Sequence, residues 1–136
     1  MGRIHALVAV TNPVEPGPEI VFDALVDTGA FCLTLPSSWK ERLGPLPLSR
    51  IVEVETADGR IVPAEVAGPV VIRIERFDAV AGEVLFLDMQ LAEGRIEPLL
   101  GYLTLEQAGL VVDMVGHRLV RLPRLDLKPA GFAPPS

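Results

Sequence analysis

Proline and glycine set the length scale of this chain. Thirteen prolines and 12 glycines interrupt its 136 residues, and the runs between them are rich in Val, Ile and Leu. A residue lacking a backbone N–H and a residue lacking a Cβ both break regular structure. Short strands joined by turns are the expected product. Hydrophobic residues make up 49% of the chain, enough to drive folding, and the length suits one domain with a real core.

The first strand is expected over Ile4 to Val10, followed by a Pro/Gly loop from Thr11 to Glu19 and a strand from Ile20 to Val26 that turns wholly apolar as it enters the core. Phe31 to Leu35 reads as a further short strand. Pro36-Ser37-Ser38 offers an N-cap, and Trp39 to Leu43 a short helix ended by Gly44-Pro45. Arg50 to Thr56 alternates, and Asp58-Gly59 then separates it from the next extended run. A tight hairpin is expected there, with both central residues at positive φ. Further strands are expected at Val70 to Glu75 and Glu83 to Asp88. Pro98-Leu99-Leu100-Gly101 reads as a buried strand ending in a turn. Thr104 and Gln107 are spaced as a capping box, placing a helix over Leu105 to Ala108 that stops at Gly109. Leu110 to Met114 and Arg118 to Leu122 form a second hairpin. The domain spans 1–122. The Pro-rich tail 123–136 is expected to be part extended and part disordered; Leu122, Leu125 and Leu127 suit either a strand in a dimer interface or a tail packed on its own subunit.

Charge and cysteine content narrow the function classes. The net charge of −6 is dispersed, with no Lys/Arg cluster, so nucleic acid is not an expected partner. No segment is long and apolar enough for a signal-peptide core or a membrane span. The single Cys32 excludes an internal disulfide and fits a reducing compartment, so a cytoplasmic location is expected. Two histidines and one cysteine without close spacing do not make a metal site, and no cofactor is expected.

The residues that ask for a function are Phe22 to Pro36, "FDALVDTGAFCLTLP". Asp27 follows the apolar Ala24-Leu25-Val26, and a carboxylate in a strand core costs free energy unless it is partnered. Asp, Thr and Gly are also ordinary turn residues, so the triplet could simply end a strand. Its setting between two strands argues for more: the loop is expected near the core, with Gly29 letting backbone N–H groups approach the carboxylate.

"ALVDTGA" resembles the active-site loop of retropepsin-like aspartic proteases, in which two apolar residues precede Asp-Thr/Ser-Gly-Ala/Ser. Leu99-Leu100-Gly101 with the helix after it is similar to a later element of that family, and "VETADGRIVPA" lies where its flap hairpin is expected. The resemblance covers roughly Ile4 to Leu122. It implies an all-β fold, a small closed β-barrel of the aspartic-protease half-domain type with one or two short helices. It further implies hydrolysis of peptide bonds by a water held between two carboxylates. The chain holds one Asp-Thr-Gly; "VVDMVG" at Val111 to Gly116 lacks the Thr-Gly, and Asp113 is expected to start a hairpin turn. The resemblance therefore implies a homodimer with Asp27 from each subunit, Thr28 bonding across the axis and Gly29 presenting its N–H. Ala30, Leu100 and the flap residues Ala57, Asp58 and Gly59 would contact a peptide or protein substrate. The alternative is a non-catalytic dimeric β-barrel module for peptide or protein binding. Cys32 is expected to be buried and structural rather than a nucleophile, Trp39 to be a packing residue, and Glu53 and Glu55 to face solvent.

Overall fold

The computed structural model describes residues 3–15, 17–56, 58–88 and 97–122. Strand β1 (His5–Thr11) pairs antiparallel with β2 (Ile20–Val26), with Val8 opposite Phe22. The loop between them is tied down by Asn12, which is almost fully buried. Its Oδ1 accepts the N–H groups of Val14 and Glu15 at 2.9 and 3.0 Å, and its Nδ2 donates to the carbonyls of Leu43 and Pro45 at 3.0 and 2.9 Å. Every polar position of this buried amide is thus used.

Strand β3 (Leu33–Pro36) is buried throughout. A 3-10 turn (Ser37–Trp39) and helix α1 (Lys40–Leu43) follow, ended by Gly44 at φ +82°. The expected serine cap is not formed: neither the turn nor α1 has a side-chain cap bond. Trp39 does pack as expected, edge-on to Phe22 at 5.2 Å and beneath the Arg42 guanidinium.

Strand β4 (Leu48–Glu55) forms a hairpin with β5 (Ile61–Ile74). The sequence suggests two runs where the structure has one 14-residue strand. Gly68-Pro69 is absorbed by a register shift between Ala67 and Val70, since proline has no N–H for the ladder. The first half of β5 pairs with β4 and the second half with β1, while β6 (Val80–Leu87) lies along its other side. With β7 (Leu99–Leu100), the sheet order is β1-β2-β7-β3-β6-β5-β4, with β5 returning to β1. Its inward faces enclose the main core, which includes Val8, Val10, Leu33, Leu35, Ile72, Ile74 and Leu100.

The hairpin turn differs from expectation. Gly59 sits at φ +88° and donates its N–H to the Thr56 carbonyl at 2.9 Å, while the Thr56 N–H donates to the Arg60 carbonyl at 2.8 Å. Asp58 does not have positive φ. The Thr56–Arg60 backbone bond makes the turn wider than a two-residue hairpin, and Gly59 takes the left-handed position. Asp58 instead closes the turn with its side chain: it accepts the Thr56 hydroxyl and the Arg60 Nε, the latter at 2.8 Å. These bonds, the Thr56 hydroxyl foremost, hold its carboxyl below the usual range.

At the base of the hairpin, Glu65 on β5 receives Lys40 Nζ at 2.5 Å and the Ser49 hydroxyl. The Lys40 bond first and the Ser49 bond second hold the Glu65 carboxyl below its ordinary value. A depressed folded value stabilises the fold above the ordinary carboxyl range, and that contribution is lost as pH falls through the folded value. We therefore predict that the Tm gap between wild type and Glu65→Gln is widest near neutrality and closes on acidification. A gap independent of pH would show that the cluster does not act through charge.

Strand β7 (Leu99–Leu100) is two residues long yet central. It runs parallel to β2, with Leu25 opposite Leu99 and Val26 opposite Leu100, and meets β3 antiparallel at Thr34. Helix α2 (Tyr102–Ala108) starts directly after it and stops at Gly109, φ +72°. The expected capping box is absent, because no side-chain cap bond is made. Thr104 lies inside the helix, fully buried, and its Oγ1 accepts the Leu33 N–H at 2.9 Å. Thr104→Val should leave that N–H unsatisfied and destabilise the protein by about 1–3 kcal/mol in denaturant titration, with Thr104→Ser recovering most of the loss. The chain ends its described course in the hairpin of β8 (Leu110–Asp113) and β9 (Arg118–Arg121). Asp113 starts that turn as expected, its Oδ1 accepting the N–H groups of Val115 and Gly116 at 3.1 and 2.9 Å. The tail 123–136 lies outside the described residues.

Candidate active site

Because β7 is inserted between β2 and β3, the chain leaving β2 must cross over β7 to reach β3. That crossing is the loop carrying Asp27. The Asp27 N–H donates to the Leu100 carbonyl at 3.0 Å, extending the β2–β7 ladder by one bond. Asp27 Oδ1 accepts the Gly29 N–H at 2.9 Å, and the Asp27 carbonyl accepts the Ala30 N–H at 3.0 Å. The far side of the crossing is fixed by α2, whose Tyr102 and Leu103 N–H groups donate to the carbonyls of Ala30 and Phe31 at 3.0 and 2.9 Å.

Gly101 lies directly beneath this crossing. A Cβ there would come within 2.5 Å of the Cys32 nitrogen and 2.7 Å of both the Ala30 and Cys32 carbonyl oxygens. All three neighbours are backbone atoms, so the glycine is required by close approach and not by its φ of −87°.

The loop does not lie as close to the core as the sequence suggests. Asp27 is half-buried, and Thr28 and Gly29 are exposed. The crossing sits on top of β7 rather than beside it, which turns the carboxylate outward within the single chain. It opens on a cleft of about 720 Å³. Asp27, Gly29, Ala30 and Phe31 line it from the loop, Arg50 and Val52 to Thr56 line it from the β4 hairpin, and Val66, Leu85 and Leu87 complete the lining from β5 and β6. Those last three residues belong to a second apolar cluster with Cys32, Val62 and Ala64, against which Val52 and Val54 pack. Glu53 and Glu55 are exposed, as expected.

The structure thus brings Asp27, Gly29 and Ala30 together at the cleft. Asp58 and Gly59 form the exposed tip of the hairpin and do not line it; Ala57 lies outside the described residues. Leu100 needs correction as a substrate contact. Its side chain is fully buried in the main core, and it serves the loop through its carbonyl. Its neighbour Leu99 lines the cleft instead, because successive strand residues face opposite sides. Sequence reasoning also missed Phe31, Val52 and Val54. The alternation of Val52 and Val54 with Glu53 and Glu55 was the available signal.

Cys32 is 1% exposed, and its Sγ contacts the Leu33 carbonyl at 3.6 Å. Burial, and secondarily the Glu83 charge, push its thiol up to about 12. The histidines are engaged elsewhere, His5 with Glu97 at 2.8 Å and His117 with the Arg3 carbonyl at 3.0 Å. A thiol so placed has neither a base nor thiolate character. We predict that folded protein resists alkylation by iodoacetamide and that unfolding exposes one reactive thiol; rapid modification of the native state would contradict this burial. Among the described residues no group of His, Cys, Asp and Glu could hold a metal ion, and no helix is long and apolar enough to cross a membrane.

No curated protein sequence matches this chain. The fold is similar to that of EIAV protease complexed with the inhibitor HBY-793, with a TM-score of 0.58 over 79% of this chain and 89% of that one, at 19% identity. The aspartyl protease family matches over residues 16–103, a span that starts ahead of β2, takes in the Asp27 loop and the flap-like hairpin, and ends just past Gly101. With that match over more than half of its length, the chain belongs to the aspartyl protease family, and its Asp-Thr-Gly crossing sits in a fold similar to that of a retroviral protease.

Proposed function

We propose that this protein is an aspartic endopeptidase that acts as a homodimer, each subunit a small closed barrel contributing one Asp27 to a shared site. The observation that carries this reading is the crossing over β7. It rigidly presents a half-exposed carboxylate to a cleft large enough for a peptide, and a single chain has only one such loop. A two-fold axis beside Asp27 supplies the second carboxylate, since an isologous contact brings equivalent residues together. Thr28 supports the same axis: it is exposed, and its hydroxyl has no partner among the described residues.

Two carboxylates about 3 Å apart cannot both ionise cheaply, so the pair holds one proton between them. The ionised member takes a proton from the attacking water. The protonated member donates to the scissile carbonyl as its oxygen gains charge. Gly29, whose N–H already holds Asp27 Oδ1 at 2.9 Å, orients the carboxylate. The substrate lies extended beneath β4, which ends the sheet order and pairs only with β5 among the described strands. Its free edge offers backbone groups to a peptide by strand addition. The hairpin closing over the cleft excludes water. The lone buried thiol supports action in a reducing compartment such as the cytoplasm.

Sedimentation of the purified protein combined with digestion of a mixed peptide library, with and without an aspartic-protease inhibitor, tests the reading. Inhibitor-sensitive cleavage by a dimer is expected. A verified dimer that cleaves nothing from acidic to neutral pH would instead favour a non-catalytic peptide-binding module.

A further inference from the structure

The segments 30–32 and 101–103 run side by side, bonded from Tyr102 N–H to the Ala30 carbonyl and from Leu103 N–H to the Phe31 carbonyl. Cys32 and Leu103 turn inward to the apolar cluster under the cleft. Phe31 and Tyr102 turn outward together. Each is 42% exposed, and their rings meet edge to face at 6.1 Å. Phe31 lines the Asp27 cleft, whereas Tyr102 does not.

We propose that Phe31 is a specificity-determining residue, forming an aromatic wall for one large apolar substrate side chain, and that Tyr102 is the positioning residue that sets its ring. This rests on the protease reading above. Phe31 lies beyond the turn closed by the Ala30 N–H on Asp27, so the side chain it meets is removed from the scissile bond rather than flanking it. The carbonyls of Ala30 and of Phe31 itself are both bonded to backbone N–H groups of α2, so the wall is preorganised and does not have to order on binding. An aromatic or long aliphatic side chain removes the exposed ring from water and gains an edge or stacking contact. A charged side chain there would lose hydration against a hydrocarbon surface with no compensating bond.

The experiment is position-by-position peptide-library cleavage by wild type, Phe31→Ala, Tyr102→Ala and Tyr102→Phe, with kcat and KM measured on the best peptide and oligomeric state followed by sedimentation. Wild type should prefer aromatic or long aliphatic residues at one position away from the cleaved bond by about tenfold or more. Phe31→Ala should flatten that preference and raise KM with kcat nearly unchanged, as loss of uniform binding does. Tyr102→Ala should weaken the preference, and Tyr102→Phe, which keeps the ring, should restore it. An unchanged preference in Phe31→Ala overturns the inference while leaving the protease reading intact. So does a shift of Phe31→Ala to monomer, which would assign the rings to the contact between copies. Absence of cleavage by wild type removes the protease reading, and this inference with it.

Discussion

Asp27→Asn should abolish peptide cleavage, by at least about a thousandfold in kcat/KM, while leaving the protein folded. The fold is spared because the one side-chain bond Asp27 makes among the described residues is accepted by Oδ1 from the Gly29 N–H, and an asparagine oxygen accepts it equally well. The surrounding bonds, to Leu100 and from Ala30, are backbone. On the dimeric reading proposed above, activity is lost because an amide can neither take the proton from water nor share one with a carboxylate across the axis. Circular dichroism and sedimentation should match wild type while the peptide assay falls to background. Cleavage surviving the change would remove Asp27 from the mechanism.

Gly101→Ala should destabilise the protein strongly, because the added methyl group meets backbone. Overpacking a core usually costs about 1–3 kcal/mol because flexible side chains give way. Here the new Cβ would meet the Cys32 nitrogen and two carbonyl oxygens at 2.5–2.7 Å, and none of these can rotate aside. Relief requires lifting residues 30–32 off β7, which breaks the bonds from Tyr102 and Leu103 that fix them. A loss at or above the top of that range is expected in denaturant unfolding. Any folded fraction should show impaired cleavage through a displaced Asp27 loop. A Gly101→Ala protein with wild-type Tm would refute the account of why that glycine is there.

The local signals in the sequence were dependable where one residue type has one use. Gly109 stops α2 in the left-handed region, Asp113 opens the β8–β9 turn, and the apolar run of β2 ends at Asp27 as expected. They misled where a residue had a competing tertiary partner. The Thr104 hydroxyl, free to cap a helix in isolation, is taken up by Leu33, 71 residues earlier. Gly68-Pro69 reads as a strand terminus, yet β5 continues through it because β6 can shift register there. At the candidate site, the identity of the loop was legible but its setting was not. That Asp27 ends half-exposed depends on the parallel pairing of β2 with β7, a contact spanning more than 70 residues of chain. Neither periodicity nor turn chemistry carries information at that range.

The lateness of β7 has a bearing on how the cell makes this protein. Every element that flanks the Asp27 loop is synthesised early except the two-residue strand it crosses and the helix that clamps it. Until Leu99 to Leu103 have left the ribosome, β2 and β3 have nothing between them and the loop has no support. Such long-range closure ties the Asp27 loop to the last third of the chain, so a chain cut before Leu99 lacks the strand and helix that hold the carboxylate in place.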